Sequence, residues 1–189
     1  MAQAIGLTPA LVFIGFMGAG KSTAAREAAS ALGVQAQDSD RLLEARLGST
    51  IEQYFDRHGE AAFREQEETL VAGLLAEADG GVIALGGGAL GSERVRAALA
   101  RHTAVLVEVS PEVAWSRAAG RGRPLARDRG AFLRLYAERH TLYESVADAF
   151  LPEAGRKVVR AALPALRARP AGSRLLWATA ASGVHPGGR

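Results

Sequence analysis

The chain of 189 residues contains no cysteine, which excludes disulfide bonds and thiolate metal sites and favours a reducing, cytoplasmic location. Its net charge of +3 arises at the carboxyl-terminal end: there are 16 basic and 20 acidic residues up to Glu153, then seven basic residues and no acid. The mildly acidic body lacks the basic face of a nucleic-acid-binding protein, and no apolar run reaches the roughly 18 residues that a membrane helix needs.

The charge distribution and the amino-terminal residues together indicate the location and the partners to expect. The first twenty residues carry no charged side chain, but they lack the basic start and the small-residue cleavage site of a signal peptide. We therefore expect a cytoplasmic protein, a monomer, that binds neither nucleic acid nor membrane.

Short apolar strands alternate with helices from the amino terminus onwards. Apolar runs predict strands over residues 11–14, 82–85 and 104–109, and residues 34–38 predict a short, weak strand. Helical periodicity predicts helices over residues 21–32, 40–47, 50–59, 61–78 and 92–100. Ser110 and Pro111 occupy the cap and first-turn positions of a further helix. This alternation predicts an α/β fold with a parallel sheet covered on both faces.

Two segments break the alternation. Residues 117–130 hold five arginines, one aspartate and three glycines, which predicts a mobile basic loop. Residues 169–189 have turn residues at both ends and no periodicity, so we expect a largely disordered tail.

The strongest motif is GFMGAGKS, which runs from Gly15 to Ser22 between the first strand and its helix. It fits the pattern G-x-x-x-x-G-K-[ST], whose backbone N–H groups and following helix cradle nucleotide phosphates. Lysine in this loop binds the β- and γ-phosphates, and the serine hydroxyl ligates Mg²⁺. The motif therefore predicts a nucleoside triphosphate and Mg²⁺ as cofactors, with nucleotide contacts from Gly15, Gly18, Ala19, Gly20, Lys21, Ser22 and Thr23.

The absence of asparagine narrows the class of phosphate-loop protein. Without asparagine the chain has neither the Asn-Lys-x-Asp motif of GTPases nor the catalytic loop of protein kinases. The chain is also small for a motor or recombination ATPase. A small-molecule kinase is the remaining interpretation.

Three further clusters can supply the acceptor side, and each has a plainer structural interpretation. Asp38 and Asp40 point the same way if extended, but such a pair is also typical of a helix cap. Arg64 and Glu67 share one helical face, where they can form a site or an ordinary surface ion pair. The three glycines at 86–88 permit close approach to a ligand or form a plain tight turn.

Six motifs in order resemble the shikimate kinase family: GFMGAGKS, DSDRLLE, FREQEE, ALGGGA, GRPLA and ERHTLY, between about residues 11 and 150. The resemblance implies a P-loop kinase fold like that of nucleoside-monophosphate kinases, with five parallel strands flanked by helices in residues 1–168. It also implies an acceptor-binding helical segment at about 39–70 and a lid at about 117–131. The reaction implied is phosphorylation of the 3-hydroxyl of shikimate by ATP.

The resemblance also assigns roles on the nucleotide side. Ser22 and Asp38 are similar to the neighbours of Mg²⁺ in that family. Lys21 and Arg123 are similar to the residues that neutralise the transferring phosphoryl group, Arg123 from the lid. Arg117 is similar to the residue beside adenine.

On the acceptor side, Asp40 resembles the residue that orients or deprotonates the attacking hydroxyl. Arg64 and Arg139 resemble the pair that holds the acceptor carboxylate, and Glu67 the partner that orients Arg64. Gly87, flanked by Gly86 and Gly88, resembles the glycine in contact with the acceptor ring.

Two alternatives stay open at this point. A kinase for another carboxylated polyol, such as gluconate, would also use two acceptor arginines. A regulatory module that binds nucleotide without turnover would keep the phosphate loop, although it has no need of an acceptor pocket.

Overall fold

The structure is a computed structural model that describes residues 8–120, 124–152 and 154–168. Within these ranges the strands are Leu11–Ile14 (β1), Ala36–Asp38 (β2), Val82–Ala84 (β3), Thr103–Val107 (β4) and Ala149–Leu151 (β5). The α-helices are Lys21–Leu32 (α1), Ser39–Leu47 (α2), Ile51–Glu77 (α3), Glu93–Leu99 (α4), Pro111–Ala118 (α5), Arg129–Val146 (α6) and Arg156–Arg167 (α7). Short 3₁₀ turns cover Ala89–Gly91 and Pro124–Ala126.

The strands form one parallel sheet in the order β2-β3-β1-β4-β5. Leu11 of β1 lies opposite Val82 of β3 on one side and Thr103 of β4 on the other. Parallel strands bring their carboxyl ends to one edge of the sheet, where ligands of open α/β sheets bind. The predicted five-stranded parallel sheet flanked by helices is confirmed.

Successive residues of the strands pack against different helical layers. Val12 and Ile14 belong to an apolar cluster with side chains of α3, α4, α5 and α6. Leu11 and Phe13 belong to a second cluster with side chains of α1 and α7. Because both faces of the sheet are covered, strands β1, β3 and β5 are continuously apolar rather than alternating.

Helix α3 is broken at Gly59, whose φ of 79° and ψ of 176° lie outside the helical region. A positive φ of this kind suits glycine, because a Cβ atom disfavours it. The predicted helices over 50–59 and 61–78 correspond to the two sides of this break. Thr50 and Gln53 form a reciprocal capping box at the first residue of α3, as their spacing indicates.

The patterns alone missed β5, α6 and α7 and overestimated the length of the basic loop. Strand β5 has three residues and follows α6 directly, too short a run for its periodicity to be recognised. Arg117 belongs to the last turn of α5, and α6 begins at Arg129, where the Asp128 carboxylate accepts a bond from the Ala131 N–H. Residues 121–123, with Arg123, and the predicted tail 169–189 lie outside the described residues.

A buried imidazole links three elements at the opposite edge of the sheet. The His102 side chain is 2% exposed. Its Nδ1 accepts a hydrogen bond of 3.1 Å from the Ala10 N–H, and its Nε2 donates one of 2.8 Å to the Leu75 carbonyl. The ring therefore joins the start of β1 to the end of α3 as a neutral tautomer.

No helix in the described residues has the length and apolar character to span a bilayer.

Candidate active site

The glycine-rich loop between β1 and α1 is held by backbone geometry and close packing. Gly15, Gly18 and Gly20 all have positive φ, at 136°, 83° and 92°. A Cβ atom on Gly15 would lie 2.6 Å from the Val107 carbonyl oxygen, and one on Gly18 would lie 2.8 Å from that of Ala114. The glycines are thus required for the conformation and the close packing of the loop.

Charged side chains lie along this loop. Lys21 is the first residue of α1, and its Nζ donates a hydrogen bond of 3.0 Å to the Phe16 carbonyl. Arg117, at the end of α5, donates from Nη1 to the Gly18 carbonyl at 3.1 Å. Ser22 and Thr23 are exposed on the first turn of α1, whereas Ala19 is buried. The structure therefore brings the predicted Arg117 to the phosphate loop.

The segment after β2 caps a helix and also faces a cleft. The Asp38 carboxylate caps α2, because its Oδ1 accepts from the N–H groups of Asp40 and Arg41 at 3.1 and 3.4 Å. Asp38 and Asp40 also line one cleft. Ser39, which the sequence interpretation missed, is buried and accepts a bond of 2.8 Å from the Gly86 N–H. That bond ties α2 to the glycine turn.

Arg64 and Glu67 form a partly buried ion pair in this cleft. The Arg64 Nη1 lies 2.5 Å from Glu67 Oε2, and the Glu67 side chain is only 5% exposed. Burial raises the pKa of Glu67, and the charge of Asp40 adds to that rise against the opposing charges of Arg64 and Arg139. Burial lowers the pKa of Arg64. The charge of Glu67 and the hydrogen bonds that Arg64 donates outweigh burial, so the pKa of Arg64 is raised. Arg64 is therefore a permanent cation in the cleft.

The three glycines after β3 allow charged groups to approach the backbone. A Cβ atom on Gly86 would collide with carboxylate oxygens of Asp40 and Glu67. One on Gly88 would collide with the Arg64 guanidinium, which lies against the bare backbone there. The missing side chains of the glycine turn thus make room for the charged groups of Asp40, Glu67 and Arg64.

Arg139 and Tyr143 approach the same turn from α6. The Arg139 Nη1 and the Tyr143 hydroxyl both donate to the Gly87 carbonyl, at 3.1 and 2.5 Å. Burial raises the pKa of Tyr143, so its hydroxyl stays protonated and acts as a donor. Tyr143 was missed by the sequence interpretation, although its spacing of four from Arg139 places both on one helical face.

These residues surround a cleft of about 430 Å³ beside the phosphate loop. Predicted residues from five separate segments line it: Ser22, Asp38, Asp40, Arg64, Glu67, Gly87, Gly88 and Arg139. Apolar walls come from residues to which the sequence gave no role, namely Met17, Ile51, Phe55, Phe63 and Leu125. Cations and carboxylates between apolar walls suit a small polar acid placed next to a nucleotide.

An ion pair joins two walls of the cleft. The Arg127 Nη2 lies 3.0 Å from Asp56 Oδ1 and 3.6 Å from Glu52 Oε1. Arg127 follows the turn that carries Leu125, and Asp56 follows Phe55, so the pair connects two wall segments. The sequence gave this contact no signal.

The described residues suit Mg²⁺ bound together with nucleotide. They contain no group of three or more His, Asp or Glu side chains that could enclose a metal. Ser22 and Asp38 line the same cleft, and a hydroxyl and a carboxylate are the hard oxygen donors that Mg²⁺ accepts beside phosphates and water.

The sequence is similar to a known protein family and to curated relatives. The family model described as shikimate kinase matches residues 17–167. The chain is 41% identical over 146 residues to the shikimate kinase of Corynebacterium jeikeium, covering 75% of this chain and 78% of the relative. It is 45% identical over 145 residues to that of Mycobacterium tuberculosis, covering 75% and 82%.

Solved structures show the same similarity in three dimensions. The fold is similar to the shikimate kinase of Acinetobacter baumannii in complex with shikimate, with a TM-score of 0.78 and 30% identity, covering 86% of this chain and 95% of the other. It is also similar to the shikimate kinase of Aquifex aeolicus, with a TM-score of 0.70 and 29% identity, covering 82% and 94%.

Proposed function

The chain belongs to the shikimate kinase family and is an ATP-using kinase, and we propose that it phosphorylates the 3-hydroxyl of shikimate. One observation carries the acceptor assignment: Asp40, Arg64 and Arg139 line one cleft that also contains Ser22 of the phosphate loop. The A. baumannii relative, which is similar in fold, was solved with shikimate bound.

The proposed reaction joins an oxygen to phosphorus and releases ADP. The 3-hydroxyl oxygen attacks the γ-phosphorus, the bond to the β,γ-bridging oxygen breaks, and the hydroxyl proton leaves towards Asp40. Phosphoryl transfer depends mainly on positioning and on neutralising charge, so the protein needs cations on both partners. Lys21 would meet the phosphates, as would Arg123, whose role rests on the family motif.

We propose that Arg64 and Arg139 hold the acceptor carboxylate. Planar guanidinium groups bind a carboxylate through two parallel hydrogen bonds. The Glu67 carboxylate fixes one terminal nitrogen of Arg64, and the Gly87 carbonyl does the same for Arg139. Gly86, Gly87 and Gly88 would lie against the acceptor ring, where side chains would block it.

Ser22 and Asp38 are the proposed Mg²⁺ ligands, Asp38 directly or through water. When bound, the ion neutralises charge on the β- and γ-phosphates. The Asp38 Oδ1 accepts a hydrogen bond from the Asp40 N–H at the start of α2. This carboxylate would therefore link metal binding to the position of Asp40.

The remaining organisation is proposed on sequence grounds. Residues 39–70 would form the acceptor-binding segment and 117–131 the lid, with Arg117 beside adenine and 169–189 a dispensable tail. We further propose a cytoplasmic monomer that binds neither nucleic acid nor membrane, in keeping with the acidic body of the chain. Sedimentation velocity measures the oligomeric state.

The acceptor is tested by ADP release with shikimate, quinate, gluconate, AMP or no acceptor. We expect strong stimulation by shikimate, with phosphate found on the 3-hydroxyl by NMR. Preferential stimulation by gluconate would identify the related kinase instead. ADP release at the acceptor-free rate with every compound would leave only a nucleotide-binding module.

A further inference from the structure

Arg64 is held by a second carboxylate that no motif singled out. Glu60 Oε1 accepts hydrogen bonds from Arg64 Nε at 3.3 Å and from Nη2 at 3.1 Å, while Nη1 donates to Glu67. The two carboxylates thus engage all three nitrogens of the guanidinium. A guanidinium has five N–H donors, so one N–H on each terminal nitrogen is left to serve an acceptor.

The surroundings of Arg64 fix its plane as well as its edges. The guanidinium lies against the backbone of Gly88, and its carbon lies 5.1 Å from the centre of the Phe63 ring. Glu67 is almost fully buried, whereas the Glu60 side chain is 51% exposed. Glu60 therefore binds the solvent-facing edge of the guanidinium, formed by Nε and Nη2, while buried Glu67 binds Nη1.

The four-residue spacing of Glu60 and Arg64 along α3 explains why Glu60 can reach this edge. Gly59 interrupts the helix, so Glu60 is the first residue after the break and Arg64 lies one turn later on the same face. On an open helix surface such a pair contributes little to stability. Here the cation of the pair, Arg64, also lines the acceptor cleft, so its position matters for more than helix stability.

We propose that Glu60 is a positioning residue that holds Arg64 ready for the carboxylate of the acceptor. An arginine side chain that is already ordered loses less conformational freedom when its ligand binds, so the ligand binds more tightly. Glu60 also carries a negative charge that opposes an anionic acceptor, but at its half-exposed position solvent and salt screen that charge. This inference rests on the proposed function, since it requires an acceptor with a carboxylate.

Two substitutions separate the hydrogen-bonding role of Glu60 from its charge. Glu60→Ala removes both bonds and should raise the KM for shikimate about 3- to 10-fold, with kcat and the KM for ATP within about twofold of wild type. Glu60→Gln keeps a side-chain oxygen at the same reach and removes the charge, so it should stay near the wild-type KM. Glu65→Ala is the matched control, because Glu65 is an exposed glutamate of the same helix.

The proposal is overturned if Glu60→Ala lowers the KM for shikimate, since the carboxylate would then compete with the acceptor. It is also overturned if Glu60→Ala has the same KM as wild type. A third test repeats Glu60→Ala in an Arg64→Ala background, where no further rise is expected. An equal rise in both backgrounds would show that Glu60 does not act through Arg64.

The wild-type assay keeps this inference separate from the function it rests on. Failure of shikimate to stimulate ADP release by the wild type would contradict the proposed function, whatever the variants do. Normal wild-type stimulation with an unchanged Glu60→Ala enzyme would contradict only the positioning role. Melting temperatures within about 2 °C of wild type would confirm that the variants are folded.

Discussion

The phosphate loop and the acceptor cleft share Met17 and Ser22 at their border, but they are built by different means. The loop depends on backbone: positive φ at its glycines, and carbonyl groups of neighbouring elements packed where side chains would be. The cleft depends on side chains from distant segments, with Arg64 between two carboxylates and Arg139 on the glycine turn. A substitution that adds a small side chain should therefore impair the loop most. A substitution that removes a charge should impair the cleft most.

The largest effect is expected from a single methyl group in the loop. Gly18→Ala places a Cβ atom 2.8 Å from the Ala114 carbonyl oxygen and also disfavours the φ of 83°. The loop must move, and a displacement of about 1 Å at a phosphate site lowers turnover by on the order of 10²-fold or more. Steady-state kinetics should show this loss together with weaker ATP binding.

Gly33→Ala is the control for backbone strain alone. Gly33 ends α1 with a φ of 70°, and no atom lies within 4 Å of its added Cβ. We expect a loss of about 1 kcal/mol in the free energy of unfolding and an unchanged KM for ATP. Equal kinetic losses in both variants would show that close packing of the loop is not what matters.

The next largest effect is expected from removing a charge in the cleft. Arg64→Ala should weaken acceptor binding by roughly 2–4 kcal/mol, with ATP affinity nearly unchanged, because the carboxylates of Glu60 and Glu67 lose their cation. Calorimetric titration measures both affinities. Arg64→Lys should recover only part of the loss, since an ammonium cannot copy the planar fork.

Shikimate carboxamide shows whether Arg64 binds the carboxylate. The wild type should discriminate strongly against the amide, and Arg64→Ala much less. Adding Glu67→Ala to Arg64→Ala should recover some binding, because it removes a stranded anion. If wild type and variant prefer the acid by the same factor, Arg64 does not contact the carboxylate.

The smallest effect is expected at the ion pair between the walls of the cleft. Both Arg127 and Asp56 are more than half exposed, and exposed pairs contribute about 0.2–1 kcal/mol. Arg127→Ala should raise the KM for shikimate about 2- to 5-fold in dilute buffer, and the difference should disappear at 1 M salt. A salt-independent effect would indicate packing of Arg127 rather than its charge.

The contrast between loop and cleft also explains what the sequence could predict. The loop is contiguous, so its strand, glycines and helix are visible in one stretch of letters. The proposed acceptor residues are dispersed from Asp40 to Arg139, and only the order of their motifs and the resemblance to a family pointed to one site. Ser39 carried no signal of its own, because its role depends on a backbone N–H that the fold brings close. Glu60 and Tyr143 lie four residues from Arg64 and Arg139, but that spacing is common on helices and did not distinguish them from other residues.

The helices and strands also differ in how well the sequence predicted their boundaries. Strands β1 and β3 were predicted within one residue, since both are buried and end in glycine-containing turns. Strand β5 and helices α6 and α7 were not predicted from the patterns. A three-residue strand has no measurable period, and the Asp128 cap of α6 lies within a basic stretch.

The buried imidazole at the opposite edge of the sheet makes the fold a proton-sensitive structure. Burial lowers the pKa of His102, and protonation would place a hydrogen on the Nδ1 atom that now accepts from Ala10. The unfolded chain therefore binds a proton more readily, so this residue destabilises the fold progressively as the pH falls through about 6.5. Relative to His102→Gln, wild type should lose up to about 1.4 kcal/mol more unfolding free energy per pH unit below that value, measured by denaturant titration. Acid tolerance of the whole enzyme is thus set in part by a residue far from its chemistry.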